Sequence, residues 1–339
     1  MLDNRLGLRF DYFLHKTDNL LTLKSFSNPI GGINRYWSNG GSLENSGFEA
    51  NVTVKPIVTK DWNLELGASV GHYKNKVTSL PDGDFTTSVY GDNNILTSVG
   101  NPVAMFYGYR TAGVFADDAA ARIGTVTADN PEGYLYMTDA AGSKKFFKAG
   151  DVRFVDLNGD GEISDKDKTI IGNPNPDIYG NIFATLSWKD LTLSVGFNYS
   201  LGNDVYNYQR SVLNAGSNFY NQQVAEVGRW RYEGQQAELP RATFGDPMGN
   251  NRFSDRWIED GSYLRLKTVH LSYRLPIPGS WTWLQGLTVW VEGQNLLTFS
   301  KYKGSDPEFS IGTSPFYQGI DCGNIPQSRI LTGGVKINL

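Results

Sequence analysis

The sequence predicts an all-β protein whose antiparallel transmembrane β-barrel strands are joined by short turns at one end and long extracellular loops at the other. Three observations predict it. The 339 residues include 18 Tyr, 18 Phe, 8 Trp and 38 Gly, a composition of strands and turns. Eight segments alternate apolar and polar residues. The connections between those segments alternate strictly between short and long, as in an outer-membrane barrel.

The first segment sets Leu6, Leu8, Phe10, Tyr12 and Leu14 against Gly7, Arg9, Asp11 and His15. The second sets Phe48, Ala50, Val52 and Val54 against Glu49, Asn51, Thr53 and Lys55, and the third Trp62, Leu64, Leu66, Ala68 and Val70 against Asn63, Glu65, Gly67, Ser69 and Gly71. Ile182, Ala184, Leu186 and Trp188 mark the fourth. The fifth is the cleanest, with Leu191, Leu193, Val195, Phe197 and Tyr199 facing away from Thr192, Ser194, Gly196, Asn198 and Ser200. The sixth slips phase: Leu264 and Leu266 lie on one parity, Val269, Leu271, Tyr273 and Leu275 on the other. Because a one-residue slip exchanges faces, a bulge is expected near Lys267–Thr268. Leu287, Val289 and Val291 carry the seventh, and Leu331, Val335, Ile337 and Leu339 the eighth. The short connections are 56–61, 189–191 and 276–286; the long ones are 16–45, 77–177, 202–262 and 298–328. Each segment approaches the 9–11 residues of a tilted spanning strand. A soluble sandwich is the competing fold, since one apolar face per strand would also fill a sandwich core.

Several classes are excluded. A net charge of −4 without a Lys/Arg run supplies no phosphate-binding stripe, so no nucleic-acid partner is expected. Cys322 is the sole cysteine, which rules out an internal disulfide and a Cys-based metal site. No apolar run is long enough for a transmembrane helix. The opening "MLDNRLGLRFDYF" lacks the features of a signal peptide. "GASVG" at 67–71 fits G-x-S-x-G in form only: Ser69 falls mid-strand, where no nucleophile elbow forms. His15, His72 and His270 lie on separate strands. No enzyme is expected.

The stretch "DLNGDGEISDKD" at 156–167 matches a calcium loop. Asp156, Asn158 and Asp160 hold positions 1, 3 and 5, with Gly161 at the sharp turn. Glu162 would offer its carbonyl, Ser164 a direct or water-mediated oxygen, and Asp167 stands where Glu is usual. The shorter side chain implies weaker affinity or fewer ligands. The flanks read as strands, so a structural clip on the 77–177 loop is expected. An ion-free, Asx-rich turn is the plainer alternative.

Five stretches carry a resemblance: "FYGYRTAGVF" (106–115), "GDVRFVDLNGDGEISDKDKTIIGNPNPDIYGN" (150–181), "DRWIEDGSYLRLKTVHLSYRLP" (255–276), "VWVEGQNLLTFSKYKGSDPE" (289–308) and "GIDCGNIPQSRILTGGVKINL" (319–339). In this order they resemble the C-terminal half of SusC/RagA-type TonB-dependent outer-membrane receptors of Bacteroidota. The resemblance implies that residues 1–339 form about eight strands of a larger, 22-stranded barrel in outer-membrane lipid. It implies glycan or peptide import with a SusD-like lipoprotein, and TonB engaged only through an N-terminal part carrying the plug. The chain is expected to lack that plug and to be a fragment or one piece of a split gene, inactive alone for transport. Tyr220, Trp230, Tyr232 and Trp257, in or beside the 202–262 loop, are the expected substrate or lid contacts, while Trp281 and Trp283 are expected at the inner membrane interface. Two other functions compete: a soluble calcium-dependent carbohydrate-binding β protein, and an autonomous eight-stranded barrel or adhesin, which requires the first and last strands to pair.

Overall fold

The computed structural model describes residues 5–30, 33–90, 92–278, 283–309, 311–312 and 314–339. The eight segments form one antiparallel sheet of Leu6–Thr17, Ser42–Val58, Trp62–Ser79, Ile178–Trp188, Leu191–Leu201, Tyr263–Leu275, Gly286–Ser300 and Ile330–Asn338, called here the first to eighth strands. Each pairs with its neighbour in the chain. The fourth-to-fifth turn is two residues, with Lys189 in the left-handed region at φ 51° and its N–H donated to the Asp61 carbonyl at 2.7 Å. Such short turns fix register, and register fixes which side chains share a face.

Rows of aligned residues run across the sheet. One joins Leu8, Val52, Ala68, Ile182, Phe197, Leu266 and Leu297; the neighbouring row on the opposite face joins Arg9, Asn51, Ser69, Asn181, Asn198 and Arg265. The sheet is therefore apolar on one side and polar on the other from edge to edge. The sixth strand has its register shift between Leu266 and Thr268, against both neighbours. Opposite it the seventh strand is also irregular, with Asn295 at φ 53°. The bulge returns Val269 and Leu271 to the apolar face, which accounts for the phase slip in the sequence.

The apolar face is bare: Leu8 is 73 % exposed and Ile337 58 %. Arg265 excepted, all of the largest fully buried side chains lie outside the eight strands. A soluble sandwich would bury the apolar strand face as its core, so a bilayer is the solvent this sheet fits. Near the short-turn end Trp62 and Trp188 stack as a cross-strand pair at 5.6 Å, the aromatic position of a membrane interface. Trp283, in the connection between the sixth and seventh strands, is exposed; Trp281 lies outside the described residues. On the polar face the Phe183 ring lies over Gly67, where an added Cβ would stand 2.2 Å from it.

The first strand pairs with the second and the eighth with the seventh; among the described residues these two edges do not meet. The autonomous eight-stranded barrel expected as one alternative is thereby corrected: the strands form an open sheet.

The first long connection folds as its own hairpin, Leu21–Ile30 against Ile33–Asn39, while the other three fold into a cap with its own cores. One gathers Phe115, Leu135, Phe147, Phe154 and Ile163; the other gathers Phe106, Tyr206, Phe253, Trp257 and Ile320 from three different loops. A three-stranded sheet joins two of these loops, with Asp204–Asn207 between antiparallel Ile258–Asp260 and parallel Ile320–Asp321. Buried Asp151 staples 77–177 to 202–262: Arg241 donates to both its oxygens at 3.0 Å and Asn250 Nδ2 donates at 2.9 Å.

The two-faced sheet makes an asymmetric prediction. Leu193→Arg on the apolar face should lower folding stability in lipid vesicles by about 2–4 kcal/mol. Ser194→Arg, one residue away on the polar face, should cost far less. Equal losses in urea titrations monitored by heat-modifiable gel mobility would contradict this assignment of faces.

Candidate functional site

The calcium-like loop lies between Val152–Phe154 and Lys168–Gly172, both short strands. Gly161 takes φ 83° at the turn. Asp156 accepts the Gly159 and Gly161 N–H groups, each at 2.7 Å. Asn158 Oδ1 accepts the Asp160 N–H and Asp160 Oδ1 the Glu162 N–H, both at 2.9 Å. Asp167 is fully buried and ties the ends together, accepting the Leu157 N–H at 2.9 Å and the Ser164 N–H at 2.8 Å. The Ser164 hydroxyl accepts the Lys166 N–H at 3.3 Å, and Glu162 turns its carboxylate to the Thr138 hydroxyl at 2.5 Å.

The donor set is one of hard oxygens in calcium-loop spacing, which fits calcium in kind. As placed, these oxygens serve the loop's own backbone. No three His, Cys, Asp or Glu side chains are grouped to hold a metal among the described residues. Within the loop, Asp165 is held below the ordinary carboxylate range by Lys168, 2.8 Å away. Tyr109, which donates to Asp165 at 3.3 Å, is pushed up to about 12 by burial.

The four expected contact aromatics separate. Tyr220 and Tyr232 are 75 % and 67 % exposed, and Phe219, next to Tyr220, packs its ring at a tilt against that of Phe244 at 5.2 Å, both still exposed. Trp230 is half-buried: its ring lies over Gly150 and its indole N–H donates to the Ala116 carbonyl at 3.0 Å. Trp257 corrects the expectation. It is 1 % exposed, inside the second loop core, with the guanidinium groups of Arg210 and Arg256 at 5.7 and 4.7 Å from its ring. The sequence signals an aromatic in a loop; burial makes it a core residue. Burial also lowers Arg256 to about 10 and raises Glu226 above the ordinary carboxylate range.

The polar sheet face forms a cavity of about 450 Å³ lined by Glu49, Asn51, Tyr179, Asn181, Asn198 and Tyr263. Ser69 also lines it, in mid-strand, with its hydroxyl accepting the Asn181 N–H at 3.1 Å. Hydroxyls and amides in this pattern offer many weak hydrogen bonds and no activated nucleophile. In the same cross-strand row as Asn181 and Asn198, an ion cluster at Arg265 joins strand to loop. Arg265 pairs with Asp306 and, at 3.1 Å, with Glu308, which Lys267 approaches at 3.5 Å. Sequence reasoning missed this cluster, because no periodicity links "YLRLK" to "GSDPE" about 40 residues on; unpaired charge on a spanning strand was the available signal.

No family model matches the chain. It is 32 % identical over 354 aligned residues to TonB-dependent receptor P3 of Formosa agariphila, covering 99 % of this chain and 33 % of that protein. It is 28 % identical to TonB-dependent receptor SusC of Bacteroides thetaiotaomicron, covering 99 % of this chain and 30 % of that protein. Its fold superimposes on the RagAB peptide transporter with a TM-score of 0.75 at 23 % identity, covering 99 % of this chain and 34 % of that one. The chain thus spans about a third of the length of these relatives. Along nearly its whole length it is thus similar to TonB-dependent receptors, and its sheet shares the fold of the matching third of the RagAB transporter chain.

The separation of the aromatics is checked by truncation. Trp257→Ala should cost about 3–5 kcal/mol and open 202–262 to protease. Tyr220→Ala should stay within about 0.5 kcal/mol of the parent. Protection of 202–262 in the Trp257 variant equal to that of the parent would remove Trp257 from the core.

Proposed function

We propose that this chain is the C-terminal barrel part of a SusC-like outer-membrane nutrient importer. The remaining strands and the plug would come from polypeptide preceding this part in the complete receptor, and TonB would act through that portion. The observation that carries the reading is the open eight-stranded sheet with one edge-to-edge polar face. A polar wall backed by an apolar one suits a solute path through lipid, and an unpaired edge at each side suits continuation of the sheet. The lining of hydroxyls, amides and Tyr179 is of a kind that handles glycan hydroxyls or peptide amides alike.

In this reading a SusD-like lipoprotein covers the loop cap, touching exposed Tyr220 and Tyr232, with Phe219 and Phe244 extending the surface. Buried Trp257 has no part in it. The experiment is co-purification and uptake with the complete receptor. Tyr220→Ala combined with Tyr232→Ala should weaken retention of the lipoprotein on the order of tenfold, within the range for aromatic anchors. Retention unchanged in this double variant would move the contact elsewhere. A receptor complete in strands and plug that accumulates neither glycan nor peptide in cells would overturn the importer reading.

Residues 156–167 are proposed to take a structural calcium ion. The donor oxygens of Asp156, Asn158 and Asp160, the Glu162 carbonyl, Ser164 and Asp167 would hold it, each carboxylate oxygen using a lone pair beyond the one its backbone N–H occupies. Calcium at about a hundredfold over its dissociation constant should stabilise the loop by about 2.7 kcal/mol. Asp160→Ala should abolish that gain. A melting temperature identical in calcium and in chelator would leave the loop as an ion-free Asx turn.

A further inference from the structure

The connection between the seventh and eighth strands does not simply arch outward. Its residues 304–309 turn in over the polar sheet face. Arg265 shows which way: it shares a row with Asn198 and Asn181 on that face, is 2 % exposed, and pairs with Asp306 and Glu308 of the connection. The segment travels further than these pairs require. Pro307, Glu308 and Phe309 line a narrow cavity of about 180 Å³ together with Ser200 of the fifth strand, Tyr263 of the sixth and Pro174 ahead of the fourth. Ser200 and Tyr263 also line the 450 Å³ cavity below. On its other side the segment borders a cavity of about 430 Å³ with Arg265, Thr298, Ser305 and Gln327. The strip therefore borders two cavities, the larger of them mainly polar.

What holds the strip is charge more than apolar packing. Neither loop core contains a buried residue from it. Asp306 accepts the Gln327 N–H at 2.8 Å and the Glu308 N–H at 2.9 Å, so the two acids present themselves to Arg265 as a preformed pair. Lys267, the bulge residue of the sixth strand, adds a second cation at 3.5 Å from Glu308. Ion pairs between partly buried groups are strong while closed, and water replaces them once the segment lifts. The strip is fastened at its base, where the Tyr302 hydroxyl donates to Asp321 at 2.5 Å and Tyr302 lies against Gly304.

We propose that residues 304–309 form a lid latched to the barrel wall by Arg265 and Lys267, closing the polar face from the extracellular side. Its opening breaks the pairs to Asp306 and Glu308. That the lid gates cargo rests on the importer reading; that it is a latched, separately opening element does not.

Hydrogen exchange is read on the complete receptor in nanodiscs and cargo entry on the same receptor in cells that supply TonB, both with Cys322→Ser as background. Glu308→Gln keeps the shape and removes one charge, and should speed hydrogen exchange at 304–309 on the order of tenfold while leaving the Phe147 and Trp257 cores unchanged. Ser200→Cys with Pro307→Cys, bridged across the cavity both line by a reducible bifunctional thiol crosslinker, should slow that exchange and block cargo entry, with both reversed by a reductant. Unchanged exchange in Glu308→Gln, or slowing that spreads over the whole cap, overturns the latch. Cargo entry unaffected by a formed crosslink overturns the gating. Should the reduced protein pass no cargo at all, the importer reading fails, and the exchange experiment still decides the latch.

Discussion

Every peptide group that enters hydrocarbon must find its hydrogen-bond partner within the protein, and the eight-stranded sheet is the device that meets this condition. Sequential antiparallel pairing over strands of 9 to 18 residues satisfies the backbone wherever two strands adjoin. The rest follows from it. Register must be kept across eight strands, because one slipped residue would put Arg9, Asn51 and Asn181 into lipid and Leu8 and Ile182 into the lumen. The paired irregularity at Lys267 and Asn295 shows the tolerance of the arrangement: a bulge is allowed where its consequence is to restore the faces.

The cap solves a different problem. Loops of this length cannot borrow stability from the sheet, whose polar side holds no apolar core to extend. They therefore build their own, and they build it from residues far apart in the chain. Phe106, Tyr206, Phe253 and Ile320 meet from three connections. Between such pieces the joints are polar and specific. Asp151 is satisfied by Arg241 and Asn250, and Asp255 by the Thr111 N–H at 3.1 Å and its hydroxyl at 2.6 Å. A buried carboxylate without these partners would be costly, so each joint fixes one docking geometry and disfavours the rest.

This division explains what could be read from the sequence. The strands were legible because a lipid boundary imposes period 2 on every one, and even the sixth strand announced its bulge through a change of parity. The cap was not, since its contacts follow no period. Trp257 is the sharpest case. An aromatic in a connection reads as a binding residue, yet here it meets two guanidinium groups in a core assembled by three loops. The calcium-like loop was legible as a turn, through Gly161 and its Asx residues, because that information is local; whether its oxygens hold an ion is decided by how the second lone pairs are used. Arg265 was visible as a cation on a spanning strand, and its partners lay about 40 residues away, beyond any local pattern.

The same division places the functional burden. A sheet whose backbone must remain paired can change little, so movement falls to segments that the bilayer does not constrain. Among those, the two cores are tied by buried Asp151 and Trp257 and would have to unfold to move. Residues 304–309 carry neither a ladder nor a core and are held by side-chain charges at their tip. Physical economy therefore assigns rigidity to the wall, shape to the cores, and opening to an inward segment whose attachments water can replace. On the proposed import function a solute path would need each of the three, and the sequence puts them on different stretches of chain.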